Sequence, residues 1–142
     1  MLLQPLSSLA FSPSDTALSC LTLAARIDGS MDDADALLIA DMVATSQSLK
    51  SITAPQLAHV QDATMAILGS EDGFETLLEI IEASAAHGEV LYTLSVEFIV
   101  RRERISPAEM RLLDILADRL RLAPLTRAAI DTATRIRFTA LD

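Results

Sequence analysis

Ser106-Pro107-Ala108-Glu109-Met110-Arg111-Leu112-Leu113-Asp114-Ile115-Leu116-Ala117-Asp118-Arg119-Leu120 carries a helix signal at both its start and its body. A hydroxyl residue is followed by proline at the first helical position and by an acid at the third. A Ser cap accepts a free backbone N–H, and a third-position carboxylate can reach back to the cap. Each such start contributes on the order of 1 kcal/mol. Behind it, Leu112, Leu113, Leu116 and Leu120 form one apolar face, with Arg111, Asp114, Asp118 and Arg121 largely outside it. Ser12-Pro13-Ser14-Asp15 repeats the same start, and Thr53-Ala54-Pro55-Gln56 is a variant of it.

Working outward, helical spacing covers most of the chain. It predicts seven helices, at about 13–27, 33–48, 54–68, 71–86, 89–103, 107–121 and 124–138. Gly29, Gly69 and Gly88 sit where a left-handed residue would close a helix, while Gly73 falls inside a first turn. Further apolar stripes are Ala34, Leu38 and Met42; Leu77, Leu78, Ile81 and Ala85; and Val96, Ile99 and Val100 with Leu91 and Leu94 beside them. No run alternates long enough to compete as a strand. The expected fold is all-α: one compact bundle of about seven helices, built from two pseudo-repeated helix-turn-helix halves. Residues 1–142 form one domain, with a core at roughly 14–138.

Composition narrows the function. Apolar residues are 51% of the 142, yet no stretch approaches the roughly 18 continuous apolar residues of a membrane span. The apolar start, Met1 to Phe11, lacks a basic segment, which disfavours a signal peptide. The single cysteine, Cys20, lies in a helical pattern and reads as a buried thiol, consistent with a cytoplasmic location. The net charge of −9 is uneven: residues 1–100 hold 14 acids against Arg26 and Lys50, whereas residues 101–142 hold nine arginines against six acids. An acidic body repels nucleic-acid phosphates. The arginine-bearing end is suited to pair with that body, in the same molecule or in a neighbour. Aromatic residues are 4%, so the core is expected to be aliphatic.

The acids gather at turns. Asp28-Gly29-Ser30-Met31-Asp32-Asp33-Ala34-Asp35 and Arg102-Glu103-Arg104-Ile105-Ser106-Pro107-Ala108-Glu109 begin 74 residues apart and answer each other. In each, an apolar residue (Met31, Ile105) precedes a carboxylate (Asp35, Glu109) by four positions as a helix begins. Asp35 and Glu109 continue the inward faces of their helices, so each needs a partner. Three readings stand. Asp32, Asp33 and Asp35 can form an acidic capping box. Asp28, Asp32 or Asp33, Asp35 and Glu109 can hold a hard divalent cation, calcium or magnesium. The acids can also belong to a network of internal salt bridges. The spacing is not that of an EF-hand, because glycine follows the first Asp directly. Glu71-Asp72-Gly73-Phe74-Glu75 reads as an acid-rich helix start.

At these two turns the chain resembles the tellurite-resistance TerB family. The first copy of the pattern is Asp28-Gly29, Met31 and Asp35, and the second is Arg102-Glu103, Ile105-Ser106-Pro107 and Glu109. The resemblance spans roughly residues 14–138. It implies an all-helical domain of about seven helices and an acidic surface that binds divalent metal, here through Asp28, Asp32, Asp35 and Glu109. It also implies a place in a bacterial stress system, with association with envelope-linked complexes. The chain departs from the pattern with Arg102 where Asp is expected, Glu103 where Gly is expected, and Asp35 in place of the usual Glu. Arg102 opposes a cation and is placed to neutralise Asp28 or Glu109.

No catalytic motif competes with this. His59 and His87 lie on different helices without a motif around either. The chain has no glycine-rich phosphate loop, no His-Glu-x-x-His run, no cysteine pair and no Gly-x-Ser-x-Gly elbow. The expectation is a non-enzymatic TerB-like domain that binds a divalent cation or a protein partner, a second copy of itself included. The alternative is a metal-free interaction or oligomerisation domain whose acidic clusters are helix caps. A carboxylate-dependent hydrolase is a third reading, and it would require the acids to line an open cleft.

Overall fold

Helix starts organise the chain. The computed structural model describes residues 11–29, 31–102 and 105–142. The expectation about a leader at Met1 to Phe11 therefore falls almost wholly outside the described residues, as does the Glu103 departure. Seven α-helices follow among the described residues, with no strand: α1 (Pro13–Arg26), α2 (Asp33–Thr45), α3 (Ala54–Leu68), α4 (Gly73–Glu82), α5 (Gly88–Arg101), α6 (Pro107–Arg119) and α7 (Pro124–Arg137). Single 3₁₀ turns at Gln47–Leu49 and Ala85–His87 occupy the ends of what the sequence reads as longer second and fourth helices. Ser12, Asp32, Thr53 and Ser106 each accept the N–H three residues on. Ser12 with Asp15, and Asp32 with Asp35, complete reciprocal capping boxes.

Two helices form the axis of the molecule. Every residue of α1 from Thr16 to Ala25 is buried, and α5 buries Leu91, Tyr92, Leu94, Ser95, Val96, Phe98 and Ile99. A helix covered on all sides needs apolar residues all round, so neither reads as one clean stripe. α1 packs between α3 and α5, while α5 also supports α6 and α7. The core is mostly aliphatic but is built around two aromatics, Tyr92 and Phe98, both fully buried. Polar groups inside are satisfied locally: Ser19 and Thr64 join α1 to α3 through a 2.9 Å hydrogen bond, and the Thr22 hydroxyl donates to the Leu18 carbonyl.

Some local readings change. The buried face of α2 is Asp35, Ile39 and Met42, with Leu38 half-buried and Ala34 exposed, one residue round from the expected stripe. Gly29 has positive φ, but Gly69 and Gly88 are right-handed; the left-handed residues are Asp72 and Arg121. Gly88 opens α5 instead of closing a helix, and its missing side chain suits a close approach, since a Cβ there would meet the Leu120 carbonyl at 3.0 Å. At Gly73 a Cβ would stand 2.0 Å from the Ile67 carbonyl oxygen, so the start of α4 lies directly on the end of α3.

Candidate functional site: the acidic corner around Arg102

The turn from α1 to α2 and the turn from α5 to α6 meet at one end of the bundle. Each places an ionic residue at the end of a buried helix and a carboxylate seven positions later, at the third residue of the next helix: Asp28 and Asp35, Arg102 and Glu109. Because α1 and α5 lie side by side, the two corners converge, and the Arg102 guanidinium sits between them.

Arg102 Nε stands 2.9 Å from Asp35 Oδ1, off the N–H axis, which makes the contact an ion pair rather than a hydrogen bond. Nη1 donates to Glu109 Oε1 at 3.0 Å and, more weakly, to the Ala24 carbonyl at 3.4 Å. Nη2 donates to Asp35 Oδ2 at 3.5 Å and faces Asp28 Oδ1 at 3.8 Å. The guanidinium lies over the Phe98 ring, 5.4 Å from its centroid. The Arg102, Asp35 and Glu109 side chains are 3%, 3% and 0% exposed, while Asp28 at 27% forms the rim. A planar fork of fixed donors suits several carboxylates at once, which an ammonium would serve less well.

Of the four acids singled out in the sequence, three surround Arg102. The fourth, Asp32, is the exposed N-cap of α2 and accepts the Asp35 N–H at 2.8 Å. The capping and salt-bridge readings therefore coexist in one residue: Asp35 closes the capping box through the Asp32 N–H and pairs with Arg102. Glu109 departs from the expected grammar. Its N–H reaches Ser106, but its carboxylate turns inward to Arg102. Glu109 Oε2 has no hydrogen-bond partner among the described residues. Burial holds the Glu109 carboxyl above its ordinary range, opposed by Arg102 and reinforced by facing Asp28.

As arranged, these acids are ligands of a guanidinium. A divalent ion at the same point would set a second cation against Arg102, so the residues present do not fit the metal that the family resemblance implies. Among the described residues, no group of three or more His, Cys, Asp or Glu side chains is placed to hold a metal ion. His59 and His87 are both exposed.

The arginine-bearing end pairs with the acidic body within the molecule. Arg101 joins Asp41 of α2 at 2.6 Å and Arg119 joins Glu75 of α4 at 2.7 Å, while Arg127 joins Asp114 of α6, within the arginine-bearing end itself, at 2.7 Å. A second polar cluster was not legible in the sequence. The buried Tyr92 hydroxyl donates to Asp131 at 2.8 Å and accepts from Arg127 Nε at 2.9 Å, tying α5 to α7. Its one signal is that Tyr92 is the chain's single tyrosine.

No family model, curated protein or solved structure matches the chain. The TerB resemblance therefore rests on the two turns quoted above. Among the described residues, no helix is long and apolar enough to cross a membrane.

Proposed function

We propose that this chain is a non-enzymatic, TerB-like helical domain that acts as a protein-binding module in a bacterial stress system. In it, Arg102 is a built-in cation where the resemblance implies a divalent metal. One observation supports the built-in cation: a guanidinium 3% exposed lies among Asp28, Asp35 and Glu109; the protein-binding role and the stress system rest on the resemblance of the two turns. Acids consumed in this way hold two helical corners together. Asp35 and Glu109 are too deeply buried to touch a substrate, which speaks against the hydrolase reading.

A second reading, response to a divalent cation, draws on one feature. Three carboxylates face a single guanidinium, and Glu109 Oε2 has no hydrogen-bond partner among the described residues. Thermal unfolding with millimolar calcium, magnesium or manganese separates the two. A ligand at a hundred times its dissociation constant adds about 2.7 kcal/mol. The built-in-cation reading expects the melting curve to stay where it is in all three salts. A rise that disappears in the Asp28→Asn, Asp35→Asn double variant would overturn it in favour of the cation-binding domain.

A further inference from the structure

α7 is the least covered helix of the bundle. Thr134 is its one buried residue. It also carries two of the most exposed large apolar side chains among the described residues, Leu125 at 86% and Ile136 at 68%. Their spacing of eleven residues is three turns of α-helix and about 20° more, so both lie on one face. Between them on that face stand Ala129 and Thr132, both exposed. Steps of four, three and four residues are those of a seam between two paired helices. The seam looks away from the body, since Asp131, bound to Tyr92, and buried Thr134 mark the opposite side of α7. A groove of about 820 Å³ runs along one edge of it, between α7 and α5, with Val90, Glu89 and Arg137 among its walls.

We infer that this face binds a second copy of the chain, the two α7 helices pairing antiparallel about a two-fold axis. The seam is its own complement. Leu125, Ala129, Thr132 and Ile136 read large, small, small, large in either direction. Laid antiparallel, Leu125 of each copy meets Ile136 of the other, and Ala129 meets Thr132. The small central pair lets the helices approach closely, and the outer pairs remove both exposed apolar side chains from water twice over. Charge selects the antiparallel arrangement. Glu89 and Arg137 line the same groove, Glu89 beside Thr126 near the start of α7 and Arg137 at its end. Neither makes an ion pair among the described residues, Arg137 lying instead over the Phe138 ring. A two-fold axis brings like edges of the two helices together, so Arg137 of each copy comes level with Pro124 of the other, where Glu89 stands. Parallel pairing would set Arg137 against Arg137. A seam of about 21 Å of helix is at the small end of specific interfaces, which makes this a weak, concentration-dependent dimer. The inference stands apart from the Arg102 reading, because neither the seam nor its flanking charges belong to the acidic corner.

Sedimentation equilibrium of the full chain tests it, over about 5–500 µM to bracket the affinity of a small interface. The mass is expected to climb from monomer toward dimer across that range. Leu125→Glu is expected to weaken association at least tenfold without moving the melting curve of the dilute protein, because the side chain it replaces is 86% exposed. Glu89→Arg and Arg137→Glu should each weaken it several-fold, and the two together should restore it. A native chain that stays monomeric throughout, or a Leu125→Glu chain that dimerises like the native one, would overturn the inference; either result leaves the melting test of the Arg102 reading intact. Orientation is read by mixing a Leu125→Cys chain with an Ile136→Cys chain under mild oxidation. The mixed disulfide is expected to exceed both like-with-like products at least tenfold. Cys20, fully buried, contributes no background. Like-with-like products in excess, or no disulfide at all, would overturn the antiparallel pairing.

Discussion

Replacing Arg102 by Met keeps an unbranched apolar stem but removes the guanidinium that lies over Phe98, and with it the charge that Asp35 and Glu109 share. Both carboxylates are at most 3% exposed, so water does not replace the lost partner. Removing one member of a buried ion pair costs about 3–5 kcal/mol, because the remaining charge is stranded. Asp28 adds little to this, since it is 27% exposed and 3.8 Å away. For a domain of this length each kcal/mol lowers the melting temperature by roughly 3 °C, so the expected fall is about 10–15 °C. Neutralising the stranded acids should return much of the loss. The triple variant Arg102→Met, Asp35→Asn, Glu109→Gln is expected to regain more than half. Urea titrations followed by circular dichroism measure each state, and comparison with the Asp35→Asn, Glu109→Gln pair isolates the coupling energy. If Arg102→Met lies within about 1 kcal/mol of the native chain, or if the triple variant is no more stable than the single one, the guanidinium is not what holds the corners together.

Three more outcomes follow from other parts of the molecule. Burial holds the Glu109 carboxyl above its ordinary value of 4.5, so between that value and the folded one the native chain binds more proton than the unfolded chain. Its contribution to stability is therefore present at low pH and lost as pH rises through that window. Glu109→Gln should flatten this part of the stability–pH curve, and an unchanged slope would refute the assignment. Gly73→Ala should cost about 2–3 kcal/mol, because the new methyl meets backbone. Gly69→Ala, with its nearest contact at 3.5 Å and a right-handed conformation, should be neutral or stabilising by up to about 1 kcal/mol, as paired melts would show. Tyr92→Phe should cost about 1–2 kcal/mol and speed amide exchange in α7 more than in α1, since its hydroxyl links α5 to Asp131 and Arg127.

The helix starts were legible because their chemistry is local. Ser12, Asp32, Thr53 and Ser106 sit next to the N–H groups they cap, so a few residues of sequence contain the whole interaction. Helix ends were less so. Gln47–Leu49 and Ala85–His87 continue a helical pattern but tighten into 3₁₀ turns, a choice made by packing rather than by residue type. The face of α2 was misjudged by one residue, because Ala34 and Ile39 are both apolar and only the position of α1 decides between them. At the acidic corner, the sequence supplied the residues and the symmetry of the two turns. It left open whether Asp35 was a cap, a metal ligand or an ion-pair partner. Pairing with a residue 67 positions away depends on α1 lying beside α5, which no short stretch encodes. Tyr92, Asp131 and Arg127 were missed for the same reason.

Cys20 carries a consequence for handling the protein. Its thiol is fully buried, and burial pushes its pKa up to about 12, so at neutral pH it is a protonated group without access to solvent. Because α1 lies at the centre of the bundle, no fraying of a peripheral helix uncovers it. Alkylation at this one position is thus a clock for whole-domain opening, and its rate across denaturant reads global stability without an added label.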